Sequence, residues 1–160
     1  RKWFTRSGTV YNGFIRALLQ DDVKSMNAYM NRVALATFSY FDSGKNPSME
    51  SQPERFYHGF VLGLTVELAD RYIITSNRES GFGRYDVMME PKNGIDNAVI
   101  MEFKVKDSGE EKSLENTADA ALKQIEERRY ETDLESRGFP GDRIRKYGFA
   151  FEGKEVLIKS

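Results

Sequence analysis

Apolar residues change their spacing several times along this chain, and each change marks an element. From Val23 to Tyr40 they recur at Val23, Met26, Tyr29, Met30, Val33 and Ala36, the period of a helix with one buried stripe. Asp21 and Asp22 precede that run and predict its cap. Phe14 to Leu19 forms a short helical turn, whereas residues 1–12 are polar with no clear period. Asp42 to Gln52 is rich in Ser, Gly, Asn and Pro, which predicts a loop.

Ser51-Gln-Pro53-Glu54 opens a helix over 53–69 with proline in its first turn and capping-box spacing. Phe56, Phe60, Val61, Leu64 and Leu68 supply its inner stripe. The period then shortens to that of strands. Tyr72 to Thr75 predicts the first, followed by a polar loop from Ser76 to Gly81. Two longer extended runs carry Asp86 and Glu102. The second, Val99 to Val105, is apolar enough to be buried on both faces. Ser113 predicts the cap of a single helix over 113–134, with Leu114, Ala118, Ala121, Leu122 and Ile125 inward. Gly138 to Gly141 ends it. Lys146 to Phe151 and Val156 to Lys159 predict a closing hairpin around Glu152-Gly-Lys. The order predicts an α/β fold with helices flanking a central sheet. We read one domain, with 1–50 a helical N-terminal segment and 51–160 the core.

Composition narrows the function. At 160 residues, 39% hydrophobic and 31% charged, the chain fits an ordinary globular protein. A formal net charge of −1 gives no overall attraction to nucleic acid, so any such surface must be a local patch. With no cysteine, disulfides and thiolate metal sites are excluded, which agrees with a reducing cytoplasm. No apolar run approaches a membrane span, and no stretch of these residues reads as a secretory leader. The opening Arg-Lys-Trp-Phe lacks a methionine, as in a fragment or a processed chain.

The chemistry concentrates between Gly81 and Lys106. Side chains alternate along a strand, so Glu102 and Lys104 project to one face, with Phe103 and Val105 on the other. Whether Asp86 joins them depends on register. A two-residue turn at Asn93-Gly94 would set Asp86 opposite Met101 and put the acids on opposite faces. An odd loop of about five residues, Lys92 to Asp96, sets Asp86 opposite Glu102. Pro91 favours that longer connection. The expected constellation is two carboxylates and an ammonium on one face, suited to a divalent cation and a phosphodiester.

Asp86, a gap of 15 residues and then Glu102-Phe-Lys104, in an αβββαβ order, resembles the PD-(D/E)XK nuclease superfamily. The wording from Ser76 to Asp86, with Phe-Tyr-His58 before it and Ala-Leu-Lys-Gln124-Ile after, resembles a narrower branch. That branch is usually the C-terminal domain of bacterial proteins with an AAA-type ATPase-like module in front. The likeness covers roughly residues 50–151. It implies a restriction-endonuclease-like core and a nucleic-acid substrate, DNA more than RNA. It also implies cleavage with Mg²⁺ or Mn²⁺ and, as partner, an ATPase-like domain. Two departures stand out. Tyr85, not proline, precedes Asp86, and related nucleases place a tyrosine four residues after the helical glutamine. Here Tyr130 is six on, off that face of a continuous helix, so no role is carried to it.

Each candidate has a plainer alternative. Asp86 and Glu102 would ligate the metal, or be solvated strand acids. Lys104 would position the water and stabilise negative charge, or merely neutralise Glu102 as an ion pair. Acting as a base would require its proton to be loosened by burial, against the adjacent acids. The resemblance implies a third metal ligand from the preceding helix, for which His58 is the first choice over a partly buried, satisfied histidine. Glu54 is a cap or a ligand, and Glu79 a loop acid or a ligand. Gln124 would orient the lysine, the water or a phosphate, or simply lie on the helix surface. Arg84 would meet a phosphate or a neighbouring acid. The alternative to an enzyme is a catalytically weak module of the same fold that docks nucleic acid or an ATPase.

Overall fold

The computed structural model describes the backbone of residues 2–42, 52–78 and 84–160, and the side chains of 11–35, 56–77 and 85–160. The chain runs α1 (Lys2–Leu19), α2 (Val23–Asp42), α3 (Gln52–Leu68), β1 (Tyr72–Arg78), β2 (Arg84–Pro91) and β3 (Ala98–Val105). It continues through α4 (Leu114–Glu127), α5 (Tyr130–Ser136), β4 (Ile144–Glu152) and β5 (Glu155–Lys159). The five strands form one sheet in sequence order. All neighbours are antiparallel except β3 and β4, which are parallel because α4 and α5 carry the chain back between them. This is the mixed sheet flanked by helices that the sequence predicts, in a restriction-endonuclease-like arrangement.

Alternation sorts the side chains into two layers. Tyr85, Val87, Met89, Val99, Met101, Phe103, Tyr147, Phe149 and Phe151 face α1–α3, where Phe14, Met26, Met30, Phe56, Phe60, Leu64 and Leu68 complete a core. The centre is aromatic: Phe103 stacks on Phe149 at 4.5 Å and meets Phe60 at 5.2 Å. The opposite face is smaller. There Ala98, Ile100 and Ile144 pack with Ile125 and Leu134. Seven of the eight β3 residues are buried, as expected for its apolar run.

The edges are treated differently. Along β5, Asn27 and Asn31 of α2 stand in for a sixth strand. The amide of each accepts from and donates to the backbone of one β5 residue, Ile158 and Val156 respectively, at 2.8–2.9 Å. The α1–α2 turn is pinned by Asp21, which has φ 56° and accepts from the Tyr147 hydroxyl at 2.5 Å and from Arg145 at 3.0 Å. Asp22 caps α2 through Ser25, as expected.

Three boundaries differ from the sequence reading. Residues 2–12, with no clear period, are helical and belong to α1. Strand β1 runs on through Ser76 to Arg78, because a polar edge strand needs no buried face and so lacks the apolar signal. The helix expected over 113–134 is two helices, broken at Arg129, whose φ of 59° is left-handed. Ser113 caps α4, accepting from Asn116 N at 3.2 Å. The capping box of Ser51 and Glu54 lies outside the described residues.

Candidate functional site

The register decides the site. Asp86 lies directly opposite Glu102, and Arg84 opposite Lys104. Pro91 and Asn97 would then face one another with five residues between them, the odd loop over 92–96 that the sequence predicts. Asn93 shapes that loop: its Oδ1 accepts from the amides of Ile95 and Asp96, while its Nδ2 donates to the Asp96 carboxylate at 3.0 Å. Arg71 adds an ion pair to Asp96 at 3.2 Å.

Asp86, Glu102 and Lys104 therefore share the face turned toward α4 and α5. All three are buried, Asp86 and Glu102 to 3% and 2% exposure. Two adjacent buried acids cost desolvation and mutual repulsion unless something neutralises them. Burial pushes the Asp86 carboxyl above the usual aspartate range, and hydrogen bonds from Tyr130 and Asn77 recover only part of that shift. The opposite face of β2 is also held: the Tyr57 hydroxyl of α3 donates to the backbone carbonyl of Asp86 at 2.8 Å, and its ring stacks on Tyr85 at 4.4 Å.

Helix α4 lies close to this face because β4 presents a glycine beside Glu102. Gly148 is the β4 neighbour of Glu102. A Cβ there would stand 2.5 Å from the carbonyl oxygen of Ala118 and 3.2 Å from the Cβ of Ala121. The small residues of α4 and the missing side chain of Gly148 thus fit one another. Gln124, on the same helix, is half-buried one residue before the buried Ile125.

Tyr130 is the main correction. Its hydroxyl donates to Asp86 Oδ2 at 2.7 Å. On a continuous helix it would miss that face, but the break at Arg129 starts α5 and turns Tyr130 back toward the sheet. Burial and the Asp86 bond push its phenol up to about 12. The signal in the sequence is the pair Arg128-Arg129 after the last inward residue of α4, where the apolar period stops.

Lys104, read from the sequence as the site's cation or alternatively as an ion-pair partner of Glu102, pairs instead with Glu111. Its ammonium donates to both carboxylate oxygens of Glu111, each at 2.7 Å. Glu111 lies in the loop before α4 and had no place in the sequence reading, since one acid among Glu110, Glu111 and Lys112 looks like solvated surface. Burial would raise its carboxyl, but the Lys104 ammonium, the Asp107 amide and the Thr117 hydroxyl together hold it below the usual range.

His58 sits on α3, on the far side of the sheet from the carboxylates. Its side chain is exposed and its ring lies 5.9 Å from that of Tyr57. Among the described residues no three His, Cys, Asp or Glu side chains gather to hold a metal. Among the described residues, the facing pair of acids on this side of the sheet is Asp86 and Glu102. Two hard oxygen donors of this kind fit Mg²⁺, which commonly binds through one or two carboxylates and completes its shell with water and substrate phosphate. Glu79 lies outside the described residues, as do the side chains of Glu54 and Arg84. A small cavity at the other end of the sheet is lined by Asp21, Arg71, Asp96 and Arg145. Its arginines are already paired with its aspartates, so it offers no comparable chemistry. Among the described residues no helix is long and apolar enough to cross a membrane.

A family model described as the PD-(D/E)XK nuclease superfamily matches residues 52–160, from the start of α3 through β5. No curated protein and no solved structure matches the chain.

Proposed function

This chain belongs to the PD-(D/E)XK nuclease superfamily, and from that membership we propose that it hydrolyses phosphodiester bonds at the face carrying Asp86, Glu102 and Lys104. The observation that carries the reading is the pairing of Asp86 with Glu102 on adjacent strands, both buried, with Lys104 two residues further along the same face. Membership alone would give the fold and leave the chemistry open.

Asp86 and Glu102 would hold Mg²⁺ or Mn²⁺ through carboxylate oxygens. When bound, such an ion offsets the two negative charges, lowers the pKa of a coordinated water and stabilises charge on the scissile phosphate. Tyr130 and Asn77 keep Asp86 oriented by donating to it. Tyr57 holds the β2 backbone beneath it. Lys104 places a positive charge where a phosphate oxygen gains negative charge during attack. Gln124, half-buried on α4, is the candidate to orient the phosphate or the water.

DNA is the proposed substrate and an ATPase-like module the proposed partner. Both rest on the likeness of the Ser76–Asp86 wording and of its flanking helices. The test is cleavage of plasmid DNA with Mn²⁺ or Mg²⁺. Strand scission that disappears in Glu102→Ala and Lys104→Ala, with folding intact by circular dichroism, supports the reading. Cleavage unchanged in both variants refutes it.

A further inference from the structure

We propose that Glu111 is a positioning residue for Lys104, fixing its ammonium as an immobile cation beside the carboxylate pair. The inference rests on the phosphodiesterase reading of this face and adds a residue to it.

Glu111 is itself anchored. Its Oε1 accepts from the amide of Asp107 at 2.8 Å and from the hydroxyl of Thr117 at 3.2 Å. Thr117 is fully buried in the first turn of α4, and its hydroxyl also reaches the Ser113 carbonyl at 3.3 Å. The carboxylate is thereby tied to the β3–α4 loop and to the start of α4 before it meets Lys104. The side chains of Lys104 and Glu111 are only 11% and 10% exposed. The lysine's direction is thus set by α4, the helix that also carries Gln124.

A buried ion pair is a poor device for stability alone, because apolar residues of similar volume commonly serve as well. Its placement two residues from Glu102, on the carboxylate face, points to function. An ammonium has three donors. Lys104 gives two to Glu111 and keeps a third for a phosphate oxygen or a water. Held this way, it supplies charge and a hydrogen bond at a fixed place.

The experiment compares the whole chain with Glu111→Gln and Thr117→Val by three readouts: steady-state cleavage of DNA with Mn²⁺, Mn²⁺ affinity by calorimetry, and ¹⁵N NMR of the lysine side chains. The unaltered protein should show one slowly exchanging, immobilised ammonium signal, assigned by its loss in Lys104→Arg. Glu111→Gln should lose that signal and about 100-fold in kcat, the scale of a misplaced reacting group, while KM and Mn²⁺ affinity hold. Thr117→Val, nearly isosteric, should shift kcat in the same direction by less. If Glu111→Gln loses the signal but keeps kcat within about twofold, well below that scale, the positioning role is refuted and the nuclease reading stands. If the unaltered protein lacks the immobilised signal, the role is refuted whatever the activity. If it shows the signal but cuts no nucleic acid, the phosphodiesterase reading falls and takes this role with it.

Discussion

Tyr130 reaches Asp86 across the face of the sheet, its hydroxyl 2.7 Å from Oδ2, because α4 and α5 are separated by a left-handed residue at Arg129. The bond does two things. It orients a carboxylate proposed to hold a cation, and it keeps that buried carboxylate from rising further above its ordinary range. Tyr130→Phe should therefore weaken Mn²⁺ binding by about tenfold or more, the usual cost of losing an outer hydrogen bond to a metal ligand. The deficit should widen as pH falls, since Asp86 then takes up a proton more readily. Calorimetric titration at several pH values checks both expectations.

Asp86 also carries a stability cost. Its carboxyl in the folded protein is pushed above the unfolded value, mainly by burial. Such a group favours folding below its unfolded pKa and loses that contribution as pH rises through the folded value. At neutral pH without divalent ions, Asp86→Asn should melt higher than the unaltered protein. Added Mn²⁺ should raise the melting temperature of the unaltered protein and leave that of Asp86→Asn nearly unchanged. Differential scanning fluorimetry with and without Mn²⁺ reads the reversal.

Glu111 shows the opposite sign. Burial opposes its charge, but Lys104, Asp107 and Thr117 together hold its carboxyl below the ordinary value of 4.5. Its contribution is complete above the unfolded pKa and is lost as pH falls through the lowered folded one. The urea midpoint of the unaltered protein should thus decline on acidification below about 4.5, and Glu111→Gln should flatten that part of the curve.

Gly148 tests the seating of α4. A methyl group there meets the Ala118 carbonyl at 2.5 Å, a backbone atom that can move only if the helix moves. Gly148→Ala should cost about 1–3 kcal/mol in chemical denaturation. It should also reduce cleavage beyond the loss of folded protein, because Gln124 and the Thr117 anchor ride on the displaced helix.

The facing of Asp86 and Glu102 was legible as one of two outcomes: a two-residue turn at Asn93-Gly94 parts the acids, whereas the five-residue loop from Lys92 to Asp96 joins them, and Pro91 favours the longer connection. The layered fold was legible too, since Phe56, Phe60, Leu64 and Leu68 keep helical period and Val99 to Val105 reads as a buried strand. Tyr130 was hidden because its position depends on one backbone torsion at Arg129, a residue with no intrinsic preference for the left-handed region. Glu111 was hidden for another reason. A loop carboxylate becomes special only once Thr117 and the Asp107 amide converge on it, and that convergence belongs to the tertiary structure. The N-terminal part of α1 lacked an apolar period, so nothing in the pattern marked it as helix.

The central claim is that Asp86 and Glu102 together bind a divalent cation. A crystal of this chain soaked in Mn²⁺, with the anomalous signal located, tests it most directly. One strong peak is expected on the α4-facing side of the sheet, about 2.2 Å from an oxygen of each side chain. A crystal with both carboxylates placed as here and no peak between them, or with the ion held elsewhere, would contradict the claim.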